Sequence, residues 1–473
     1  MRNSSQEAVP QAQLTLFRAV CIIVGVIVGS GIFQTPWLVA SNVSSWWGLS
    51  PTHWVLLVWF IGGLIAFLGA LCYAELATTY PRQGGDYVYL NRAFGGWCGF
   101  LFGWARLAII QGGSIGAIAF VFGNYASRLW PLMHSSTAAS GAEVASQATA
   151  VATITSAALY AIIAMVVLTA INVIGVREGT LTQNILTSAK VLGLASVFLV
   201  AFLFTPAAAP IAASPAAAPG AGAGDFALAM VLISWTYGGW NEIAYITAEV
   251  RDPRRNITRS LVIGVALVTL IYVLLNWAFL HSLGIDKMRE SKEVACDVLK
   301  IKFGEKGERA IAALVVISAL GALNGFIFTS ARVYYAMGSE HRLLSPLGYW
   351  SKRFGTPAIS LVVQAAIVIA LIIAFGTSEG FERMVKFTAA AFWLFIALTT
   401  CALIALRDKD RDIERPYRVP FYPFVPIIFC GFSVYMVYRS YDYAPTETLY
   451  ALIALVIGLP IYALTRLLQR SAK

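Results

Sequence analysis

Charge is scarce in this chain. Asp, Glu, Lys and Arg make up 12% of its 473 residues, against about 25% in a soluble globular domain. With 58% hydrophobic residues and a mean hydropathy of +0.72, an ordinary water-soluble domain is excluded. Histidine is almost missing: the four present are scattered and give no metal-ligand spacing. Cys21, Cys72, Cys98, Cys401 and Cys430 lie in or beside apolar runs, and Cys296 falls in an expected outer loop. That pattern is neither a disulfide framework nor a metal site. No metal or cofactor is expected. The first dozen residues are polar and mixed in charge, and no short apolar run with a small-residue cleavage site follows them. A cleaved signal peptide is therefore not expected. The net charge is +10, yet no basic stripe with interleaved aromatics occurs, so no nucleic-acid partner is expected.

Long apolar runs are what the chain does have. A helix crossing a bilayer needs about 20 mostly apolar residues. About twelve segments qualify: 16–40, 54–79, 97–130, 150–174, 183–204, 226–249, 259–281, 309–337, 358–376, 384–406, 421–440 and 447–468. The expected fold is all-α, a polytopic membrane protein of about twelve transmembrane helices seated in a lipid bilayer. Lys and Arg favour cytoplasmic loops. With the N-terminus inside, Arg82, Arg92, Arg177, Arg251, Arg254, Arg255, Lys352, Arg353, Arg407, Lys409, Arg411, Arg415 and Arg418 are cytoplasmic, while the outer loops 41–53 and 205–225 have no Lys or Arg. The outer loop 283–308 is rich in lysine, offset by acidic residues. Both termini are then cytoplasmic, in a plasma membrane or cell inner membrane.

Residues 205–225 are low-complexity Ala/Pro/Gly, expected as a flexible outer loop. They divide the chain into a tail (1–15), a first half (16–204), a second half (226–406) and a last pair of helices with a tail (407–473). Five spans per half is an odd number, so the halves enter the membrane with opposite topology.

Each half opens with a glycine-interrupted span. The first reads GVIVGSGIF at 25–33 and the second SWTYGGWNE at 234–242. Broken helix at membrane depth is tolerated where it lines a cavity or packs against protein. Paired interruptions at matching positions point to a transporter binding site. Close helix packing through small residues is the alternative. At the first break, the half-helix beginning at Ser30 and Gly31 offers N–H groups and a positive dipole end to a carboxylate. Carbonyls near Ile27 and Gly29, and near Trp235, Gly238 and Gly239, suit an ammonium group. One ligand carrying both groups is an amino acid.

Lys190 stands alone among apolar residues in the fifth span. A membrane-depth charge is a functional hypothesis by default, and a lysine snorkelling to the inner surface is the alternative. A fixed ammonium there could take a sodium ion's place and bridge the first and eighth spans through backbone carbonyls. Glu242, directly after the second break, either senses protons, favours a cationic substrate, or caps the half-helix that begins there. Arg106 and Glu75 are expected to pair with each other or to face an inner vestibule, and Glu249 to pair with Arg251 or another loop arginine. Trp235 is a candidate lid over the substrate. Asn241 is polar, buried and in need of a partner, and is expected among the substrate-binding residues. Ser114 and Asn324 are expected mainly to pack helices.

These residues resemble the amino acid–polyamine–organocation transporter superfamily, and within it the L-type amino acid transporter-like permeases. The resemblance rests on GVIVGSGIF at 25–33, YAELATTYPRQGGDYVYL at 73–90, TYGGWNEIAYITAEVRDPRRNI at 236–257, NGFIFTSARVYYAM at 324–337 and RPYRVPFYPFVPIIF at 415–429. It implies two inverted five-helix repeats plus two helices, with helices one and six unwound around a midplane site. It implies that Ser30 and Gly31 hold the substrate carboxylate, that Ile27, Trp235 and Gly238 carbonyls meet the amine, and that Trp235 is a gate. It also implies that Lys190 replaces sodium. Where some relatives have Gly-Ser in helix eight, this chain has Gly321-Ala322, so a hydroxyl partner for Lys190 is either missing or supplied by Thr329 or Ser330. Eukaryotic L-type members bind a heavy chain through an outer-loop cysteine. Residues 131–149 contain none, so no covalent heavy-chain partner is expected. The expected function is sodium-independent amino acid transport by alternating access, as an exchanger or coupled to protons, with neutral amino acids favoured. The alternatives are a cationic amino acid or polyamine transporter using Glu242, and a non-transporting amino acid sensor. A membrane enzyme acting on lipid is disfavoured, because no His, Asp or Cys converge at membrane depth.

Overall fold

The computed structural model describes residues 12–45, 47–130, 156–203, 225–291, 293–375 and 380–470. Most of the Ala/Pro/Gly loop expected at 205–225 lies outside the described residues. In lipid no water satisfies loose N–H and C=O groups, so a spanning chain closes its hydrogen bonds within helices. Among the described residues the chain is helical, and its only β-pairings are two isolated bridges.

The first span is split into α1 (Leu16–Ile27), α2 (Gly31–Gln34) and α3 (Pro36–Ser41). α4 (Pro51–Thr79) is the second, followed by a short connecting helix, α5 (Asp86–Phe94). The third runs through α6 (Gly96–Ala105), a π-helical turn (Arg106–Ile110) and α7 (Gln111–Leu129). α8 (Ser156–Ile174) and α9 (Val176–Leu203) complete the first half. The sixth span is split into α10 (Phe226–Thr236) and a 3₁₀ helix (Trp240–Glu249). α11 (Pro253–Glu290), α12 (Val294–Glu340), α13 (Ala358–Ala374) and α14 (Gly380–Lys409) follow, and α15 (Phe424–Tyr443) and α16 (Pro445–Arg470) form the last pair. Among the described residues, ten spans are long and apolar enough to cross a membrane unaided. The shorter α13 and the interrupted sixth span bring the total to the expected twelve.

Packing follows a two-fold correspondence between the halves. α4 packs on α11, and α7 on α12. α1 against α11 is mirrored by both pieces of the sixth span against α4; α9 against α12 is mirrored by α14 against α7; α8 against α12 is mirrored by α13 against α7. This is the pattern two five-span repeats produce. α7 and α12 are the most enclosed spans, and α16 the most lipid-facing.

Three sequence expectations are corrected here. Segment 283–308, expected as a loop, is largely helix: α11 continues to Glu290 and α12 starts at Val294, with bends at Gly284 (φ 75) and Gly304 (φ 55). Its charges mark the wet side of helices rather than irregular chain. Glu75 does not pair with Arg106. It receives Arg407 at 2.8 and 2.5 Å and the Val419 N–H at 2.7 Å, pinning α4 to the α14–α15 connection. Glu249 turns inward to Arg332 of α12 at 2.8 Å, not to a loop arginine, and Gln83 donates to it at 2.9 Å. Beside this lock, the chain at Leu14 bridges Val250 and accepts the Arg251 N–H at 2.8 Å. These contacts tie together the end of the bundle that carries residue 14.

Candidate substrate-binding site at the paired helix breaks

The first break is short. α1 closes with Val28 N–H on Val24 O at 2.9 Å, and Gly29 N–H turns back to Ile27 O at 2.7 Å. The chain then re-enters helix at Gly31. Thr35 keeps helical angles (φ −96, ψ −18), so Gly31 to Ser41 runs on as one half-helix. The first N–H groups of a helix have no partner within it, and here they open at Ser30, Gly31 and Ile32. Ser30 Oγ is buried there with no hydrogen-bond partner.

The second break turns on Gly239, whose φ of +105 and ψ of −6 belong to the left-handed region that glycine adopts without strain. Gly238 N–H bonds Trp235 O at 3.0 Å, and Glu242 N–H bonds Gly239 O at 3.1 Å. Gly238 O precedes the first of these 3₁₀ bonds. Thr35 and Thr236 hydroxyls meet at 3.0 Å across the two half-helices. Tyr272 of α11 donates to Ile27 O at 2.9 Å and lies 3.3 Å from Thr236 O. One tyrosine thus ties both breaks together.

A cavity of about 90 Å³ lies between the breaks. Ile27, Gly29, Ser30, Gly31, Trp235, Gly238, Gly239 and Glu242 all line it, so the predicted residues from two distant segments converge. Ile27 O already receives Tyr272 and Gly29, and Trp235 O receives the Gly238 N–H, which leaves Gly238 as the least occupied of these carbonyls. Asn241 does not reach this cavity. The 3₁₀ turn advances each residue by about 120° instead of 100°, and Asn241 faces a smaller void of about 10 Å³ with Asp86, Arg106 and Tyr245. Its amide donates to Tyr245 OH at 2.8 Å.

Trp235 borders a second, outer cavity of about 380 Å³, lined also by Gln34, Trp37, Phe381 and Tyr443. Its ring meets Phe381 edge-on at 5.4 Å. This aromatic pair stands between the inner cavity and the end of the bundle opposite Leu14.

Lys190 lies behind the first break, fully buried. Its ammonium donates to Gly25 O and Val28 O, each at 2.7 Å, and to Ser318 O at 3.1 Å. It therefore spans α1 and α12 through carbonyls, and it does not snorkel. Thr329 and Ser330 are not its hydroxyl partners: Thr329 donates to Glu242, and Ser330 meets Arg106 at 3.3 Å. Among the described residues no hydroxyl is bonded to the ammonium; Ser318, whose carbonyl it reaches, turns its own hydroxyl to Val28 O at 3.1 Å and Gly29 O at 3.2 Å. A Cβ at Gly321 would fall 2.8 Å from the ammonium, so glycine there makes its room.

Glu242 is paired. Arg106 reaches both its oxygens, at 2.6 and 2.7 Å, from the start of the π turn. Sequence reasoning missed this pair, and it missed Gln111, Thr388, Phe392 and Trp393, which complete the cavity wall. Ser114 lines the cavity while donating to Ile110 O at 2.6 Å. Asn324 packs helices, as expected, bonding Gln183 at 2.9 Å and Gly179 O at 3.0 Å.

The comparisons agree with this architecture. The family model described as amino acid permease matches residues 14–460. The b(0,+)-type amino acid transporter 1 of Mus musculus is 32% identical over 460 residues, covering 96% of this chain and 88% of its own length. The large neutral amino acids transporter small subunit 2 of Homo sapiens is 32% identical over 465 residues, covering 96% and 80%. With its paired helix breaks, enclosed cavity and apolar spans, this multi-pass membrane protein belongs to the amino acid permease family of the amino acid–polyamine–organocation superfamily.

Proposed function

We propose that this chain is a sodium-independent secondary transporter of amino acids, working by alternating access, with neutral side chains preferred. One observation carries the reading. The two breaks present N–H groups at Ser30–Gly31 and carbonyls at Trp235 and Gly238 to one cavity whose remaining wall is mostly apolar. An α-carboxylate and an α-ammonium satisfy those groups, and an uncharged side chain suits the wall. Lys190 supports sodium independence, because its ammonium occupies carbonyls of the kind that coordinate sodium in related architectures. The relatives named above are transporters of amino acids by name, one of them of large neutral amino acids. The pairing of Glu242 with Arg106 favours neutral over cationic substrates.

Transport needs no covalent step, and we read the chain as a carrier rather than an enzyme. Substrate binding lowers the barrier between a state that opens where Leu14, Glu249 and Arg332 now meet and a state that opens past Trp235 and Phe381. The loop arginines support cytoplasmic termini in a plasma or cell inner membrane. The cysteine-free stretch 131–149 supports function without a covalently attached heavy chain.

Uptake of labelled leucine into proteoliposomes in sodium-free buffer tests the reading. Uptake that requires internal amino acid identifies an exchanger, and uptake driven by an inward pH gradient identifies proton coupling. Binding without movement under either condition would refute transport in favour of sensing.

A further inference from the structure

Glu242 is the only charged side chain among the described residues lining the central cavity, and its charge is already matched. Arg106 approaches through one terminal nitrogen, 2.6 and 2.7 Å from the two carboxylate oxygens, and both side chains are 2% exposed. The arginine is held from several sides. Its guanidinium lies 3.9 Å from the centre of the Tyr245 ring, and Ser330 Oγ is 3.3 Å from the same nitrogen. It opens a π-helical turn, where Gln111 N–H bonds Arg106 O five residues back. Such turns insert one residue into a helix and often mark functional sites.

The other buried charges nearby do not face this cavity. Asp86 receives the hydroxyls of Tyr73 and Tyr245 and lines the smaller void beside Arg106 and Asn241, not the central cavity. Lys190 is bound to carbonyls behind the first break. The charge a substrate side chain meets is therefore the Arg106–Glu242 pair, whose sum is zero.

We propose that Arg106 is an internal counter-ion that sets the charge specificity of the cavity. It holds the position that the ammonium or guanidinium of a cationic substrate would otherwise take against Glu242. The inference rests on the reading of the chain as an amino acid transporter. Without Arg106 the same cavity is a receptor for cationic amino acids. Without Glu242 the uncompensated arginine favours anionic ones. A buried charge left unpaired is costly, so either single change leaves a site that recruits the missing sign from the substrate.

The test is competition against labelled leucine uptake, with unlabelled lysine and glutamate, in the reconstituted full chain. In the unmutated protein lysine competes at least about tenfold more weakly than leucine; equal or stronger competition by lysine would overturn the proposal. Arg106→Gln raises the lysine-to-leucine ratio by about tenfold or more, the scale of one unscreened charge pair. Glu242→Gln raises the glutamate-to-leucine ratio, and remains informative if Arg106→Gln does not fold. Arg106→Gln with Glu242→Gln shows neither gain, and Arg106→Lys keeps the parent ratios. An unchanged ratio in either folded single variant, or a lysine gain in the double variant, would overturn it. If the unmutated chain binds no amino acid, the functional reading fails as well; if it moves leucine but the variants keep its ratios, only this proposal fails.

Discussion

Replacing Lys190 by Met shortens the unbranched side chain by one atom and removes its charge. The ammonium donates three hydrogen bonds, to Gly25 O, Val28 O and Ser318 O. Charge-assisted bonds contribute about 1.5–3 kcal/mol each, so the gross loss is about 4.5–9 kcal/mol. Against it stands the cost of holding an ammonium out of water, several kcal/mol after relaxation. A net of about 2–4 kcal/mol then binds the end of α1 to α9 and α12. At about 1.4 kcal/mol per tenfold, that corresponds to a loss of roughly 30-fold to nearly 1,000-fold in the population of the ordered site. The assay is the initial rate of leucine exchange in sodium-free proteoliposomes, with thermal unfolding as a check on folding. The predicted rate falls at least about 30-fold, and Lys190→Ala falls as far. Sodium partly restoring the rate would mark the emptied carbonyls as a cation site. A folded Lys190→Met protein with a rate within about threefold of the parent would refute the reasoning.

Trp235→Ala removes the ring between the inner and outer cavities; substrate dissociation in stopped-flow binding speeds up by about tenfold or more, and an unchanged off-rate would deny it a gating role. Glu75→Ala strands Arg407 and the Val419 N–H, and lowers stability in denaturant titration by about 3 kcal/mol, whereas a loss under about 1 kcal/mol would show that α4 is anchored elsewhere. At the rim outside the spans, Arg92 holds the Asp410 carboxyl below its ordinary range, chiefly through a hydrogen bond. A depressed value in the folded state means the tie is fully present above the unfolded pKa, about 3.9, and is lost as pH falls through the lower folded value. Hydrogen exchange in α5, corrected for its intrinsic pH dependence, therefore accelerates only below about pH 4; equal protection on both sides of that point would refute the tie.

What the sequence made legible was what local chemistry penalises. Glycine runs inside apolar spans break helices where breaks are expensive, so Gly29–Gly31 and Gly238–Gly239 stood out. A single ammonium among apolar neighbours stood out for the same reason, though that argument left snorkelling open; Lys190 reaches carbonyls of α1 and α12. Pairings across the fold carry no such local mark. Arg106 and Glu242 are 136 residues apart, in opposite halves, and nothing in either segment names the other. Tyr272 and the Thr35–Thr236 contact look like ordinary helix composition until the breaks are brought together. Asn241 falls outside the central cavity because the chain takes a 3₁₀ turn after Gly239, and nothing in the local sequence marks that change of period. Segment 283–308 was misread because charge on an interfacial helix looks like charge in a loop.

The most direct test is thermal-shift binding of leucine, leucine methyl ester and N-acetylleucine to the purified protein in sodium-free buffer. A ligand that binds the native state raises its apparent stability. If Ser30–Gly31 read the carboxylate and the Trp235 and Gly238 carbonyls read the amine, leucine alone produces a saturable shift. Equal shifts from the ester or the acetylated compound would contradict a site built from the two helix breaks.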